Sequence, residues 1–488
     1  MLVYAHRYLG IVLSLFFLLW FASGFVIIYT GGMPRLTEAE RLQHLPAIDF
    51  EAIQLGPGEA QLILGTDSLP VLTTVMNRPA YRFGSAQVLF ADSGEELSRA
   101  MVSSQQIAAD YLELETNALS RVGTVEDVDQ WTLGLRNQLP LEKYTAQDDQ
   151  GSELYVSRAT ATVLLHTTSR DRLLAWLGAI PHWLYFLQLR SDAALWARIV
   201  IWSSTLAVVM AAIGFILLGV QLRWRRLPKL SQAIPHRGLM RWHYLSALVF
   251  GIIVITWAFS GLLSMEPYRW TRQSGLQLDA VSYRGEQQFA DAFDRFDIQQ
   301  FWRRSAQDLT DTAVRELRFR RFADKAFLEL TITSRDASWQ HRTVYRSAEP
   351  PYGLLPLFDR ETIADRLAAS TGADLVEAEV LQQYDAYYYG RDNPDGPVPP
   401  LPVLRASFND PDESVYYIDL NSGDPVYRSH RWGRVERWLY RGLHSLDFGA
   451  FYRKRPLWDA VVLLLLTGGL LVTVLGAILG FRRLRRSA

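Results

Sequence analysis

The chain has 488 residues and no cysteine, which excludes disulfides, thiolate metal sites and Cys-ligated iron–sulfur clusters together. Its net charge of −1 gives no basic surface of the kind nucleic acid requires. The mean hydropathy of +0.00 averages very apolar and ordinary polar stretches, and the apolar ones set the class: a membrane protein.

Four uncharged runs are long enough to cross a bilayer, which takes about 20 apolar residues: Tyr8–Thr30, Ile199–Leu222, Trp242–Met265 and Ala460–Phe481. The first is too long for the apolar segment of a cleaved signal peptide and carries residues of a repeat, so it is expected to stay as a helix. The expected organisation is a first span at 1–30, an outer domain at 31–172 and an interfacial helix with the second span at 173–222. A loop at 223–241 and a third span at 242–265 follow. The second outer domain takes 266–433, an interfacial helix with the fourth span 434–482, and a tail 483–488. Basic residues crowd one side: Arg7, then Arg223, Arg225, Arg226, Lys229, Arg237 and Arg241, then Arg482, Arg483, Arg485 and Arg486. By the positive-inside rule these segments are cytoplasmic, both termini are inside, and the two long segments are periplasmic, which implies a bacterial inner membrane.

Both outer domains read as α+β. In the first, strand-like alternation over Tyr81–Phe90 leads through Asp92-Ser93-Gly94 to a helix near Ser103–Leu119. In the second, Arg315–Phe322 and Phe327–Ser334 read as strands and Arg360–Ser370 as a helix ended by Gly372. Val415–Leu420 with Asn421-Ser422-Gly423 reads as a hairpin, and Asn393–Pro402 as an exposed loop.

The chain also repeats. His6-x13-Trp20-x2-Ser23-Gly24 recurs as His243-x13-Trp257-x2-Ser260-Gly261, shifted by 237 at every position. Arg172-x3-Trp176-x5-His182-x13-Trp196-x17-Gly214 recurs as Arg434-x3-Trp438-x5-His444-x13-Trp458-x17-Gly476, shifted by 262. Leu139-Pro140-Leu141-x-Lys143 matches Leu401-Pro402-Val403-x-Arg405 at the same shift, so the duplication reaches into the outer domains. Two tandem halves that enter and leave on one side predict a pseudo-twofold axis along the membrane normal.

A lone histidine near a helix end is usually an interfacial anchor. Four in matched frames look like two pairs of axial ligands, with haem as the guest. His6 and His182 of one half are separated by a hydrocarbon core of about 30 Å, so pairing runs between halves. His6 with His243 forms an inner pair and His182 with His444 an outer one. Two neutral imidazoles saturate the axial positions of an iron, which suits electron transfer. Gly10 and Ala247, one turn beyond the inner histidines, would let a flat macrocycle approach the helices, with Ser14 and Gly251 one turn further. Arg172 and Arg434 are candidate partners for haem propionates, against the simpler reading as juxtamembrane anchors. Trp20, Trp257, Trp176 and Trp438 could wall the pockets or form the interfacial aromatic belt. Ser23-Gly24 and Ser260-Gly261 read as helix packing. His44, His166, His236, His341 and His430 are expected to be structural, although His236 could share a helix face with His243. Tyr384, Tyr387, Tyr388 and Tyr389, beside Asp385 and Arg391, are a candidate outer binding surface, with ordinary strand packing as the competing account.

These features resemble the PepSY-associated transmembrane family over nearly the whole chain, on the histidine-led first span ending in Ser-Gly and the Arg-x3-Trp-x5-His approach to the next span. The resemblance implies four transmembrane α-helices in two tandem halves, each half with an α+β PepSY-like periplasmic domain. It also implies two b-type haems, with the family's histidines carried over onto His6, His182, His243 and His444. Members include inner-membrane haem proteins that reduce ferric siderophores, so the expected activity is that of a haem-dependent oxidoreductase, with a cytoplasmic reductase or a membrane quinol as donor. The alternatives are a non-catalytic PepSY sensor or peptidase inhibitor and an iron-chelate permease; the spans hold none of the charged residues that commonly mark transport pathways. The arginine asymmetry predicts that a reporter fused after Ala488 is active only as a cytoplasmic probe, and periplasmic activity there would invert the topology.

Overall fold

The structure, a computed structural model, describes residues 1–84, 87–223, 233–268, 275–285, 293, 296–334, 341–390 and 398–485. Four helices are long and apolar enough to cross a membrane: Leu2–Thr30, Ala193–Gln221, Gly238–Leu263 and Leu457–Arg485. Each outruns its uncharged segment because a helix continues past the hydrocarbon boundary once its charged residues reach the interface. Arg7, Arg241, Asp459, Arg482 and Arg483 thus lie within the helices. Gly31, in the left-handed region at φ 67°, ends the first span, and the Asp192 carboxylate caps the second by accepting from the backbone of Ala194 and Leu195.

The spans form a ring in which each packs chiefly on its neighbours in sequence and the fourth closes on the first. Equivalent spans therefore stand on diagonals, the first opposite the third and the second opposite the fourth. Leu13, Phe17, Phe21, Val254, Ala258, Val462 and Leu466 fill the centre. Close approach depends on glycine on the fourth span: a Cβ on Gly468 or Gly469 would come within 2.2 Å of the Phe250 ring or 2.1 Å of the Phe21 ring.

On the far side from the arginine-rich ends, strands from both halves build one six-stranded sheet. The first half gives β1 (Pro70–Val75), β2 (Arg78–Phe83) and β3 (Gln87–Phe90), and the second gives β8 (Thr312–Phe322), β9 (Lys325–Ser334) and β10 (His341–Ser347). The order is β10-β9-β8-β1-β2-β3, so β1 and β8 meet at the seam, antiparallel, with Val71 opposite Arg318 and Leu72 opposite Leu317. Each half also has a four-stranded sheet: β4 (Leu119–Val125), β5 (Leu141–Ala146), β6 (Glu153–Ser157) and β7 (Thr162–Thr167), then β11 (Leu375–Leu381), β12 (Val403–Phe408), β13 (Val415–Asp419) and β14 (Pro425–Ser429). One helix packs on each, Ser104–Leu112 on the first and Arg360–Thr371 on the second.

Several boundaries differ from the sequence reading. Tyr81–Phe90 is the end of β2 and all of β3, broken by Gly84 at φ 58°. The helix expected near Ser103–Leu119 stops at Leu112, because Glu113 turns left-handed at φ 54° and Leu114 N–H caps Ala109 O, after which β4 starts at Leu119. The Val415 hairpin forms as read, with Gly423 at φ 72° in its turn. Of the expected loop at 393–402, residues 393–397 lie outside the described residues.

The seam carries a buried charge. Glu316 on β8 is 1% exposed and pairs with Arg41 at 2.6 Å, Arg318 at 3.3 Å and Arg82 at 3.7 Å. A carboxylate out of water needs such partners, and removing it leaves three cations around an apolar seam. Glu316→Ala is expected to cost about 3 kcal/mol, the low end for a broken buried pair because all three arginines reach solvent. Thermal unfolding of the purified protein checks this, and an unchanged Tm would contradict it.

Candidate functional site

The outer histidines lie on short helices ahead of the second and fourth spans. His182 is on Ala179–Trp183, and His444 on Leu443–Ser445, which continues a π-helical turn at Trp438–Gly442. Their ring centroids are 6.0 Å apart with 70° between the planes. Each ring is held the same way. The Nδ1 of His182 meets Ser23 Oγ and that of His444 meets Ser260 Oγ, both at 3.0 Å. The serine hydroxyls donate to main-chain carbonyls one turn back, Ser23 to Trp20 O and Ser260 to Trp257 O, both at 3.2 Å. Each oxygen is thereby left to accept, so Nδ1 carries the imidazole hydrogen and Nε2 is the unprotonated nitrogen. Burial pushes the His182 pKa down to about 4, so its ring is neutral at ordinary pH.

The inner histidines face each other across a diagonal of the bundle. His6 Nδ1 donates to Met210 O on the second span at 3.0 Å, and His243 Nδ1 to Val472 O on the fourth at 3.1 Å. Gly214 and Gly476 make room for the rings. A Cβ there would lie 2.6 Å from His6 Cε1 and 3.2 Å from His243 Cε1. Both histidines line one cavity of about 620 Å³, a size typical of small-molecule and cofactor sites. Gly10, Ser14, Ala247 and Gly251 line it too, as their helical spacing predicts. Arg7, Arg237, Arg482 and Arg483 complete its arginine-side end, and among the described residues no aspartate or glutamate lines it.

Arg172 and Arg434 are used elsewhere. Arg172 donates to Thr167 O, Thr167 Oγ1 and Gly151 O at 2.8–3.1 Å, and Arg434 to Glu413 O, Glu413 Oε2 and Ser429 Oγ at 2.8–3.3 Å. Gly151 and Thr167 correspond to Glu413 and Ser429 in the repeat, so each arginine fastens its interfacial helix to its own four-stranded sheet. Trp196 and Trp458 hold the short histidine helices, through indole N–H bonds to Trp183 O at 2.8 Å and Ser445 O at 3.2 Å. Trp20 packs on Phe16 and Phe17, Trp257 on Phe21, Trp176 on Phe186, and Trp438 on Phe448.

The tyrosine cluster folds inward. Tyr388 is 4% exposed and stacks on Tyr417, Asp385 accepts from Tyr417 OH at 2.7 Å, and Tyr389 OH donates to Asp447 at 2.6 Å. Arg391 lies outside the described residues. His166 bridges Glu40 and Ser152, His44 stacks on Tyr111, and His430 caps its helix by accepting from Gly433 N–H, as Thr168 caps the equivalent helix from Asp171 N–H. His341 lies on β10. His236 is different: its Nε2 meets Gln221 Oε1 at 2.8 Å and it lines the inner cavity.

Sequence reasoning missed two sets of residues. The serines of the Ser-Gly repeats do more than pack, and the clue was a hydroxyl kept at one place in both apolar helices. The cavity arginines were read only as markers of topology. The duplicated rooms for the inner rings make one comparison direct. Gly214→Ala, forced into a 2.6 Å contact, is expected to lower stability by about 1–3 kcal/mol, and Gly476→Ala, at 3.2 Å, by less. Thermal unfolding of the two variants checks the order.

Among known families, the chain matches the PepSY-associated TM region over residues 3–483, while no curated protein matches it. The match takes in all four spans, all three sheets and all four repeated histidines. On this coverage, the chain belongs to the PepSY-associated transmembrane family.

Proposed function

We infer that this protein is a di-haem b oxidoreductase of the inner membrane that passes electrons from the cytoplasmic side to a periplasmic acceptor, a ferric siderophore. The observation that carries the reading is the twofold set of histidines, each with Nδ1 tied to an acceptor and Nε2 left as the metal-binding nitrogen. At the outer pair the two rings stand 6.0 Å apart between centroids, close enough for both to reach one metal ion. Among the described residues no group of three or more His, Asp or Glu could hold a bare ion. Paired imidazoles suit a macrocycle that brings its own equatorial donors.

His6 and His243 would hold the inner haem and His182 and His444 the outer one. Haem supplies a one-electron iron couple when bound. At the inner site Arg7, Arg237, Arg482 and Arg483 put cations beside an apolar cavity, matching a flat apolar body with carboxylate tails. Gly10 and Ala247 keep the cavity walls low. Near the outer pair, Trp257 Nε1–H is a buried donor without a hydrogen-bond partner among the described residues, one turn from Ser260. His182 and His444 would hold the outer group from both halves, and the acceptor would dock on the outer domains. Hard oxygen donors hold Fe(III) better than Fe(II), so reduction there would loosen a chelate.

The purified protein is expected to show two low-spin bis-histidine haems on reduction. His6→Ala or His243→Ala should remove one, and His182→Ala or His444→Ala the other. If all four variants keep both, the ligand assignment fails. Anaerobically reduced protein mixed with ferric siderophores and an Fe(II) trap should be reoxidised with matching Fe(II) capture, and stable reduced haem across a broad panel would point to another acceptor.

A further inference from the structure

We propose that His236 and Gln221 form a binding site for the headgroup of a membrane quinone, at the arginine-side mouth of the inner cavity. The purpose of the site rests on the redox reading above, but its geometry does not. His236 belongs to neither repeated motif, so the duplication that explains His6 and His243 does not explain a third histidine lining the same cavity. It stands seven residues before His243, in the non-helical segment that leads into the third span, whose helix begins at Gly238.

The pair has complementary polar atoms. The Gln221 side-chain oxygen can only accept, so the 2.8 Å contact fixes the hydrogen on His236 Nε2 and leaves Nδ1 as the ring's acceptor. The Gln221 amide nitrogen supplies donors. A quinol hydroxyl can donate to His236 Nδ1 and a quinone carbonyl can accept from Gln221, so one pair serves both redox forms. Tyr244, 5.3 Å from the His236 ring and fixed by its hydroxyl bond to Leu218 O, gives an aromatic wall.

Charge and access point to the same ligand. The repeat places Arg483 where Gln221 stands on the second span, so the pseudo-twofold is broken at the mouth. Arg7, Arg482 and Arg483 make the side of the first and fourth spans cationic, Arg237 adds one cation beside His236, and the second span offers a neutral amide. Carboxylate tails favour the three arginines of the first and fourth spans, and the Gln221 amide suits the carbonyl of a neutral ring. Phe215 on the second span and Met240 on the third line the cavity yet are 48% and 42% exposed on the bundle surface. The cavity wall there is also a lipid-facing wall, which an isoprenoid-tailed molecule reaches from the hydrocarbon.

The test uses the full-length protein in phospholipid nanodiscs, with an azido-quinone as photolabel and a hydroxyquinoline N-oxide as competitor. Labelling is expected on the second and third spans around residues 215–221 and 236–244. His236→Leu or Gln221→Leu should weaken competitor binding about tenfold, the loss of one well-placed hydrogen bond, with Tm and haem content unchanged. Undiminished binding in both variants, labelling mapped elsewhere, or displacement by added anionic phospholipid would overturn the proposal; the last would show a site for lipid phosphate. The two readings fail separately. Protein without haem that still labels at His236 keeps this site and loses the redox function, and di-haem protein that does not label does the reverse.

Discussion

An imidazole buried in an apolar bundle has two nitrogens to satisfy, and how the first is satisfied decides what the second can do. Here the first is always Nδ1. At the inner pair it is tied to a backbone carbonyl of the neighbouring span, and at the outer pair to a serine whose own hydrogen goes to its helix. Helix carbonyls are the most dependable acceptors inside a membrane, because the helix has already fixed them in place. Orientation, tautomer and position of all four rings follow from that constraint. So do the glycines, since a ring that leans on a neighbouring helix needs a place on that helix without a side chain.

The ring-like order of the spans carries the same logic to the whole bundle. Equivalent helices lie on diagonals, so each histidine leans on the partner span of its own half while facing its equivalent from the other half. A single half would hold one histidine of each pair. The duplication therefore does structural work beyond symmetry: it supplies the second imidazole at both levels.

Much of this was legible in the sequence, because hydropathy reports spans directly and frame-matched repeats report spatial equivalence. Gly10 and Ala247 line the same cavity as His6 and His243, a shared face that a period of 3.6 lets helical spacing name. Four things were hidden. Glu316 sits at a seam between strands about 245 residues apart, β1 and β8, and strand alternation cannot name a partner at that distance. Arg172 and Arg434 were assigned by their distance from a histidine, but their fork of donors found carbonyls nearer in space. The cavity arginines were masked by their own explanation, since a residue that accounts for topology invites no second question. His236 was read only as a group that could share a helix face with His243, but the helix starts at Gly238; repetition was the filter, and a group that breaks the symmetry fails it by definition.

The shared six-stranded sheet bears on how the protein is made. β1 leaves the ribosome long before β8, with two spans and a loop still to be inserted between them. Throughout that interval β1 presents an unpaired edge, the kind of surface on which chains aggregate. Closing the seam is a long-range pairing that comes late in folding. The outer domains thus finish only after the third span is in the membrane, which makes the sheet a record that both halves were inserted in the same direction.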